Sequence, residues 1–311
     1  MTELPEKDFA PGRHRLLKEH LMSEIRQSEA PARASVRRQW LRTGFATTAV
    51  ATAAAVTFVL LTPSGEGEKV NTRPPATQQP AGSAATLLED IALAAERDRL
   101  PEGIRDDQFV YVESEVSYTM YEAGKGARRD PVHRREIWLS VDGLHTGLLR
   151  EDSRVGEVTL EPDLPFTESS KNYRALQKLP TDPEKMLRWL HRVSDGGKSH
   201  DQNVFVHVAE LLIESLMPPA QSAALYRAAA RIPGVAVIPD AVDAAGRHGV
   251  AVARVDSGER QELIFDKKTK QFLGERLVAV ADLSGGQKRG EVTGTSAILQ
   301  RAVVDKPGQR P

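Results

Sequence analysis

The sequence predicts one N-terminal transmembrane helix followed by an α+β domain, a curved antiparallel sheet with packed helices. Three observations predict this arrangement. Residues 43–65 carry no charge over 23 positions. Residues 63–84 are rich in Pro, Gly, Gln and Ser, which is typical of a linker. Beyond residue 84, strand patterns, helical patterns and again strand patterns with tight turns follow one another, and this order favours an α+β architecture.

Composition limits the class of protein. The chain has 311 residues, of which 40% are apolar and 27% charged. That is enough apolar surface for a packed core, so most of the chain should fold. The absence of cysteine excludes disulfides, Cys-ligated zinc and thiol catalysis. A net charge of −1 argues against a dedicated nucleic-acid-binding protein.

Residues 1–42 form a basic tail, which we expect in the cytoplasm. It holds nine Lys/Arg residues against six Asp/Glu residues. Leu17, Leu21 and Ile25 fall on one face of a short amphipathic helix. This helix is either a partner-binding or lipid-contacting element, or simply part of a solvated tail that orients the next segment.

Residues 43–62 are predicted to cross the membrane. Their apolar part, Gly44–Thr62, would span about 28 Å as a helix, close to the hydrocarbon thickness of a bilayer. The positive-inside rule places residues from 63 onward outside the cytoplasm. A buried soluble helix, or a signal peptide cleaved near Ala53 or Ala55, is the alternative, although the 42 preceding residues are long for a signal peptide.

The membrane is the first predicted partner. Four arginines before the span should attract anionic inner-leaflet lipid by about 1 kcal/mol each. They are Arg33, Arg37, Arg38 and Arg42. Residues 63–84 then form a disordered linker that lets the following domain range about 25 Å from the membrane.

The extracytoplasmic α+β domain is predicted over residues 85–304. Ser83 is expected to cap its first helix. The strand patterns of its first half cover Phe109–Tyr121, Arg134–Val141 and His145–Arg150, and residues 151–170 are predicted as loop with short strand pieces.

Helices are predicted in the middle of the domain. Thr181 and Glu184 have capping-box spacing before the first of them. Asn203–Met217 and Gln221–Arg231 are predicted as the next two. After Pro233-Gly234, three turn signals separate four strand patterns, and residues 305–311 are expected to be a disordered tail.

Aromatic residues on the strands are the candidate ligand-binding residues. Tyr111, Tyr118 and Trp138 could line the concave face of the sheet and bind an apolar or peptide ligand. The alternative is that they are core residues and cross-strand pairs.

Motifs for catalysis are missing, and no catalytic residue, metal or cofactor is predicted. Gly196-Gly197-Lys198-Ser199 resembles the end of a phosphate-binding loop, but Arg192 stands where that motif needs glycine. His207, Glu210 and Glu214 share one helical face, which is more typical of a solvated face than of a metal site.

Several segments carry a resemblance to known proteins. The stretches "REIWLSVDG", "LPTDPEKMLRWL" and "ALYRAAARIPGV", with "VDAAGRHGVAV", are similar to an uncharacterised family of actinobacterial single-pass membrane proteins. More distantly, the order of elements resembles the open half-barrel of periplasmic lipoprotein carriers and sigma-factor regulators. The resemblance implies a concave sheet closed by helices, a shape suited to lipid or peptide binding, and it implies no catalytic residues.

Three functions follow from these observations. The first is a membrane-tethered binding or sensor module outside the cytoplasm, which recognises a lipid-like ligand, a peptide or an envelope protein. The second is a transmembrane regulator whose cytoplasmic tail engages a partner of the sigma-factor type. The third is a hydrolase without a recognised motif.

The predicted topology can be tested with reporter fusions. Alkaline phosphatase fused after Pro311 should be active, because the enzyme folds only outside the cytoplasm, and the same reporter fused at Gln39 should be inactive. Activity at Gln39 with none at Pro311 would reverse the orientation given by the positive-inside rule.

Overall fold

The structure is a computed structural model that describes residues 81–122, 126–153, 155–164 and 166–311. Within these residues the chain forms five helices and ten strands. The helices are α1 (Ala81–Ala95), α2 (Tyr173–Leu176), α3 (Pro183–Val193), α4 (His200–Ile213) and α5 (Pro219–Ala229). The strands are β1 (Phe109–Glu122), β2 (Gly126–Arg129), β3 (His133–Ser140), β4 (Gly147–Glu151), β5 (Gly156–Leu160), β6 (Ala236–Val242), β7 (His248–Asp256), β8 (Glu259–Phe265), β9 (Phe272–Ala279) and β10 (Val292–Val304).

All ten strands belong to one sheet whose order is β5-β4-β3-β1-β10-β9-β8-β7-β6, with β2 paired to β1. Every pairing is antiparallel. The sheet therefore consists of two meanders, one from each half of the domain, and the three longer helices between them in sequence cover one face. The predicted α+β class with a large antiparallel sheet is confirmed.

The two meanders meet where β1 pairs with β10. Their register runs from Phe109 opposite Val304 to Tyr118 opposite Gly294. One extra residue, Leu299, interrupts it, because Ser114 lies opposite Ile298 whereas the preceding residue of β1 lies opposite Gln300. Such a bulge bends the strand and strengthens its local twist.

The helices cover the face of the sheet that carries Val112 of β1 and Leu263 of β8. Two apolar clusters lie on this face. The larger packs α1, α3, α4 and α5 on strands β6–β8, and the smaller packs the β1, β3 and β4 side chains against Tyr173 and Leu216. Ile213 and Phe272 contact both clusters, so they mark the boundary between them.

A buried charge cluster lies on the opposite face of the second meander. The Glu262 side chain is fully buried, and its two carboxylate oxygens lie 2.7 Å from the guanidinium groups of Arg260 and Arg276. Arg276 belongs to β9, directly opposite Glu262 in the register. The carboxylate therefore joins two strands and compensates two enclosed positive charges.

Residues 305–311 lie against the same face of the first meander. The indole Nε1 of Trp138 donates to the carbonyl oxygen of Gln309 at 2.6 Å. Arg310 donates two hydrogen bonds to Glu136, at 2.6 and 2.7 Å. The segment was expected to be a disordered tail, but it is ordered against the sheet. The physical reason is that the buried carboxylate of Glu136 on β3 binds Arg310.

Several predicted elements occur with altered ends. Helix α1 begins at Ala81, so Ser83 lies inside the helix and the prediction that it caps the helix is wrong. Helix α3 is capped by Asp182, which accepts a hydrogen bond from the Lys185 amide, rather than by Thr181. Helix α4 spans His200–Ile213 and ends before the predicted Met217. The shifts are of a few residues, as expected when several capping residues compete.

The four strands predicted after Pro233-Gly234 are confirmed as β6–β9. Strands β2 and β5 lie in segments where no complete strand was predicted, and β10 was not predicted at all. Residues 1–80 lie outside the described residues, and so do the predicted tail, transmembrane helix and most of the linker. Among residues 81–311, apart from the short gaps given above, no helix is long and apolar enough to cross a bilayer.

Loss of the Glu262 charge should destabilise the domain strongly. Glu262→Gln leaves Arg260 and Arg276 enclosed without a counter-charge, which should lower the free energy of unfolding by about 3 kcal/mol in urea titrations. Asp282→Asn is the matched control, because its ion pair with Lys288 is exposed and should contribute little. Equal stability of the two variants would contradict this role for Glu262.

Candidate functional site

The three candidate aromatic residues lie on two faces of the sheet. Tyr111 and Trp138 are opposite each other in the β1–β3 register, and both side chains are fully buried. Their ring centroids are 5.1 Å apart. Tyr118 is seven residues further along β1, so it points to the helix-covered face instead. The structure therefore brings Tyr111 and Trp138 together and separates Tyr118 from them.

Tyr111 and Trp138 are covered by residues 305–311. Besides the Trp138 contact with Gln309, the Tyr111 hydroxyl donates to Glu136 at 2.8 Å. Arg310 and this hydroxyl both hold the pKa of Glu136 below its ordinary value. The pair therefore forms part of a core beneath the C-terminal segment, and a ligand would have to displace that segment to reach it.

Tyr118 lies beneath the helices in a polar environment. Burial, together with the nearby carboxylate of Glu275, raises the pKa of Tyr118 above its ordinary value. Because the phenol stays neutral, it can act there as a hydrogen-bond donor.

A cavity of about 350 Å³ lies on the helix-covered face, where the two apolar clusters meet. We call it the α4 cavity, because the C-terminal end of α4 forms one wall. The end of α1, Tyr226 of α5, the β8–β9 turn and the bulged part of β10 form the others. Its volume is within the range of small-molecule sites in proteins.

Both apolar and polar side chains line the α4 cavity, and its entrance is polar. Thr269, Gln271 and Asp98 are exposed at the entrance. Partial burial raises the pKa of Asp98 above its ordinary value. The buried apolar residues that line the interior are Ala95, Leu211, Leu212, Leu216, Leu273 and Ile298.

Arg301 reaches the cavity because of the bulge in β10. Ile298 and Arg301 are three residues apart, a spacing that in a regular strand would put them on opposite faces. The extra residue at Leu299 places both on the helix-covered face, since Arg301 lies opposite Val112 and Ile298 opposite Ser114. The bulge thus directs a guanidinium group toward the end of α4.

Arg301 holds the C-terminal end of α4. Its Nε donates to the carbonyl oxygen of Ser215 at 3.0 Å, and its second nitrogen donates to that of Leu212. The Leu212 carbonyl belongs to the last turn of α4 and the Ser215 carbonyl follows the helix directly. The last carbonyls of a helix have no partner within it and carry its negative end, so a cation is favourable there. Burial nevertheless lowers the pKa of the Arg301 guanidinium from its ordinary value.

Tyr226 is the second polar group inside the cavity. Its side chain is only 6% exposed, and its ring packs edge-on against Phe265 with centroids 5.6 Å apart. Its hydroxyl forms no hydrogen bond with any part of the chain that the structure describes. Burial raises the pKa of Tyr226, so the hydroxyl keeps its proton.

The serines that line the cavity are committed to backbone hydrogen bonds. Ser215 donates to the carbonyl oxygen of Leu211, and Ser222 donates to that of Met217 at 3.4 Å. No histidine lines the cavity among the described residues. A nucleophile needs an adjacent general base to be activated, and this cavity does not bring such a pair together.

An ion-pair network holds the end of α4 from the other side. Arg135 of β3 contacts Glu214 at 2.7 Å and also Glu151 of β4. His133 lies 2.8 Å from the second oxygen of Glu151. Burial alone would lower the pKa of His133, but its contacts with the Pro131 carbonyl and Glu151 outweigh burial and raise it. Burial would likewise raise the pKa of Glu151, yet His133 and Arg135 lower it.

The helical face that carries His207, Glu210 and Glu214 is engaged in other contacts. His207 is buried with its ring 5.4 Å from that of Trp189. Glu210 is paired with Lys171 at 2.8 Å, and Glu214 with Arg135. Among the described residues, no group of three His, Cys, Asp or Glu side chains could hold a metal ion.

Comparisons with known proteins add a distant structural similarity. No protein-family model and no curated protein matches the chain, so the resemblance to an actinobacterial family stays a prediction. A crystal structure of MucB in complex with MucA(peri) is similar over 71% of this chain and 55% of that chain, with 14% identity and a TM-score of 0.23.

A crystal structure of MucB is similar over 74% of this chain and 60% of that chain, with 15% identity and the same TM-score. The chain therefore matches less than two thirds of the length of either structure. At this level the similarity does not bear on function, which has to be argued from the residues of the cavity.

Sequence reasoning did not identify Arg301 or Tyr226. Arg301 is in "QRAVV", the end of a strand that was not predicted, and Tyr226 is in a helix whose alanine-rich pattern gives no sign of a cavity. The one available signal was Arg301 itself, because a charged residue is unusual within an otherwise apolar strand.

The His133–Glu151 pair should make stability depend on pH. The raised pKa of His133 means that its contribution is complete below about pH 6.5 and is lost as the pH rises through the folded-state pKa. The lowered pKa of Glu151 means that its contribution is lost as the pH falls below about 4.5. His133→Gln should therefore destabilise the protein most between about pH 5 and 6.

Urea unfolding of the wild type and of His133→Gln from pH 4.5 to 8.5 measures this difference. His145→Gln is the control, because His145 is largely exposed and 3.8 Å from its carboxylate. A destabilisation by His133→Gln that is constant over this pH range would contradict the prediction.

Proposed function

We propose that residues 85–304 form a binding module, without catalysis, for an amphipathic ligand whose apolar part occupies the α4 cavity. The observation that carries this proposal is the cavity itself, a space of about 350 Å³ lined by both apolar and polar side chains. Small-molecule binding sites are concave and combine apolar side chains with polar groups in fixed positions.

Binding is favoured over hydrolysis by the polar groups of the cavity. Asp98, Tyr226 and Arg301 have shifted pKa values in one cleft, which by itself would also suit an active site. However, both lining serines donate to backbone carbonyls, and Arg301 is held by the end of α4. These groups are arranged to hold a ligand rather than to activate a nucleophile.

The form of the sheet is consistent with this function. Register shifts interrupt the pairs β1–β10, β9–β10, β6–β7 and β8–β9. Bulges of this kind curve a sheet, so they support the proposed half-barrel form, in which the helices close the concave side over the ligand.

The proposed location is the outer side of the plasma membrane. It is supported by the uncharged residues 43–62, the arginines before them and the linker 63–84. In this arrangement the binding module is tethered close to lipid and to other envelope proteins, either of which could supply an amphipathic ligand.

Filling the cavity should abolish binding. Ala94 lines the α4 cavity from α1 and is half-buried, so Ala94→Phe places a ring inside it. Ala85→Phe is the matched control, because Ala85 is exposed on the same helix. The full chain in phosphatidylcholine nanodiscs is exposed to a photoactivatable 12-carbon alcohol, and labelled peptides are mapped by mass spectrometry.

We expect labelling of the cavity-lining peptides in the wild type and in Ala85→Phe, and at least a tenfold lower yield in Ala94→Phe. Thermal unfolding of all three proteins shows whether a loss of labelling comes from a loss of structure. Equal labelling of Ala94→Phe and wild type, or wild-type labelling outside the cavity alone, would overturn the proposed function.

A further inference from the structure

Arg301 has a positive charge without a negative partner. None of the ion pairs among the described residues involves it, and its hydrogen bonds go to the backbone carbonyls of Leu212 and Ser215. Enclosed charges in proteins are usually paired, because an isolated charge is costly away from water. The helix carbonyls stabilise this cation only as dipoles, so it can still accept an anion.

The other cations of the cavity differ from Arg301. Arg247 already has a partner, since it lies 2.6 Å from the fully buried carboxylate of Asp243. Lys270 is in the β8–β9 turn at the entrance. Three cationic side chains and one carboxylate, Asp98, line the cavity among the described residues. The lining therefore has an excess of positive charge, and Arg301 is the cation that has no counter-ion and is fixed in the cavity by the end of α4.

Tyr226 provides a hydrogen-bond donor beside this charge. Its side chain lines the same cavity and interacts electrostatically with Arg301, and its hydroxyl has no hydrogen-bond partner in the described part of the chain. The hydroxyl oxygen is accessible from the cavity, so it is free to donate to a ligand there. A hydroxyl donor without an acceptor beside a cation without a counter-ion indicates that an anionic oxygen group completes the site.

From this arrangement we propose that the α4 cavity selects single-chain amphiphiles with an anionic oxygen head group, a carboxylate or a phosphate, held by Arg301 and Tyr226. The inference rests on the proposed function and adds the chemistry of the head group. The apolar residues of α4 and β10 then surround the alkyl chain. At roughly 30 Å³ per water-sized group, the cavity holds about a dozen heavy atoms, which is most of a 12-carbon acid.

The experiment compares three photoactivatable 12-carbon probes, a carboxylic acid, a phosphate monoester and a primary alcohol, with the full chain in phosphatidylcholine nanodiscs. For each probe, the concentration that gives half-maximal labelling of the cavity is measured in wild type and variants. Because each ratio compares proteins with the same probe, partitioning of the probe into lipid cancels.

Tyr226→Phe removes the hydroxyl and keeps the ring on Phe265. We expect it to raise the half-maximal concentration about tenfold for the acid, the phosphate ester or both, since hydrogen bonds to ions are the strong ones, and less than threefold for the alcohol. Tyr173→Phe is the matched control, because Tyr173 is equally buried but lies outside the cavity. This variant should leave the half-maximal concentration of every probe unchanged.

Arg301→Met should remove the preference for anionic probes. If that variant does not fold, because it also loses the hydrogen bonds to α4, Tyr226→Phe decides alone. A rise in the half-maximal concentration for the acid only, or for the phosphate ester only, supports the inference. Such a result also identifies which of the two head groups the cavity binds. An equal effect on the alcohol and both anionic probes, or no effect, overturns the inference and leaves the proposed function intact. Absence of cavity labelling by every probe in wild type overturns both.

Discussion

The pairing of β1 with β10 is the constraint on which the rest of the domain depends. These strands are about 180 residues apart in sequence, yet they are the only strand pair that joins the two meanders among the described residues. Without this pair, each meander would be a small sheet with an open edge and only part of the helical layer to cover it. The same pair fixes where the two apolar clusters meet. The cavity lies at that boundary, so its position follows from the topology of the sheet.

One extra residue in β10, Leu299, determines that a guanidinium group faces the cavity. In a regular strand, Arg301 would face away from the helices if Ile298 faced them. The bulge at Leu299 turns both inward, and the carbonyl groups at the end of α4 then make the enclosed guanidinium tolerable. The network of Arg135, Glu151 and His133 holds the same helix end through Glu214. Two sets of charges from different strands thus position a single helix terminus.

The sequence was informative about local elements and uninformative about how they meet. Alternation over Phe109–Tyr121 and the turn signals after Pro233 identified most strands, because these patterns are local. Strand β10 was missed because Gly294 interrupts its pattern. That glycine is needed where β10 passes the Tyr118 ring, since a Cβ there would lie 2.7 Å from the ring. Tyr111 and Trp138 were correctly placed on strands, but which face the helices cover is decided by tertiary packing. The roles of Arg301 and Tyr226 depend on that packing and on the bulge, so periodicity could not reveal them.

The distance between β1 and β10 along the chain also affects how the domain is made. Helices α3–α5 and the hairpins β6–β9 are local and can form as soon as they are synthesised. The pairing of β1 with β10 can form only after residues 292–304 have left the ribosome or, if the domain is exported, have crossed the membrane. Until then the inner edge of each half is unpaired and open to wrong partners. We therefore expect the pairing of β10 with β1 to be the slow step of folding. Chaperones would protect the unpaired strand edges until this step is complete.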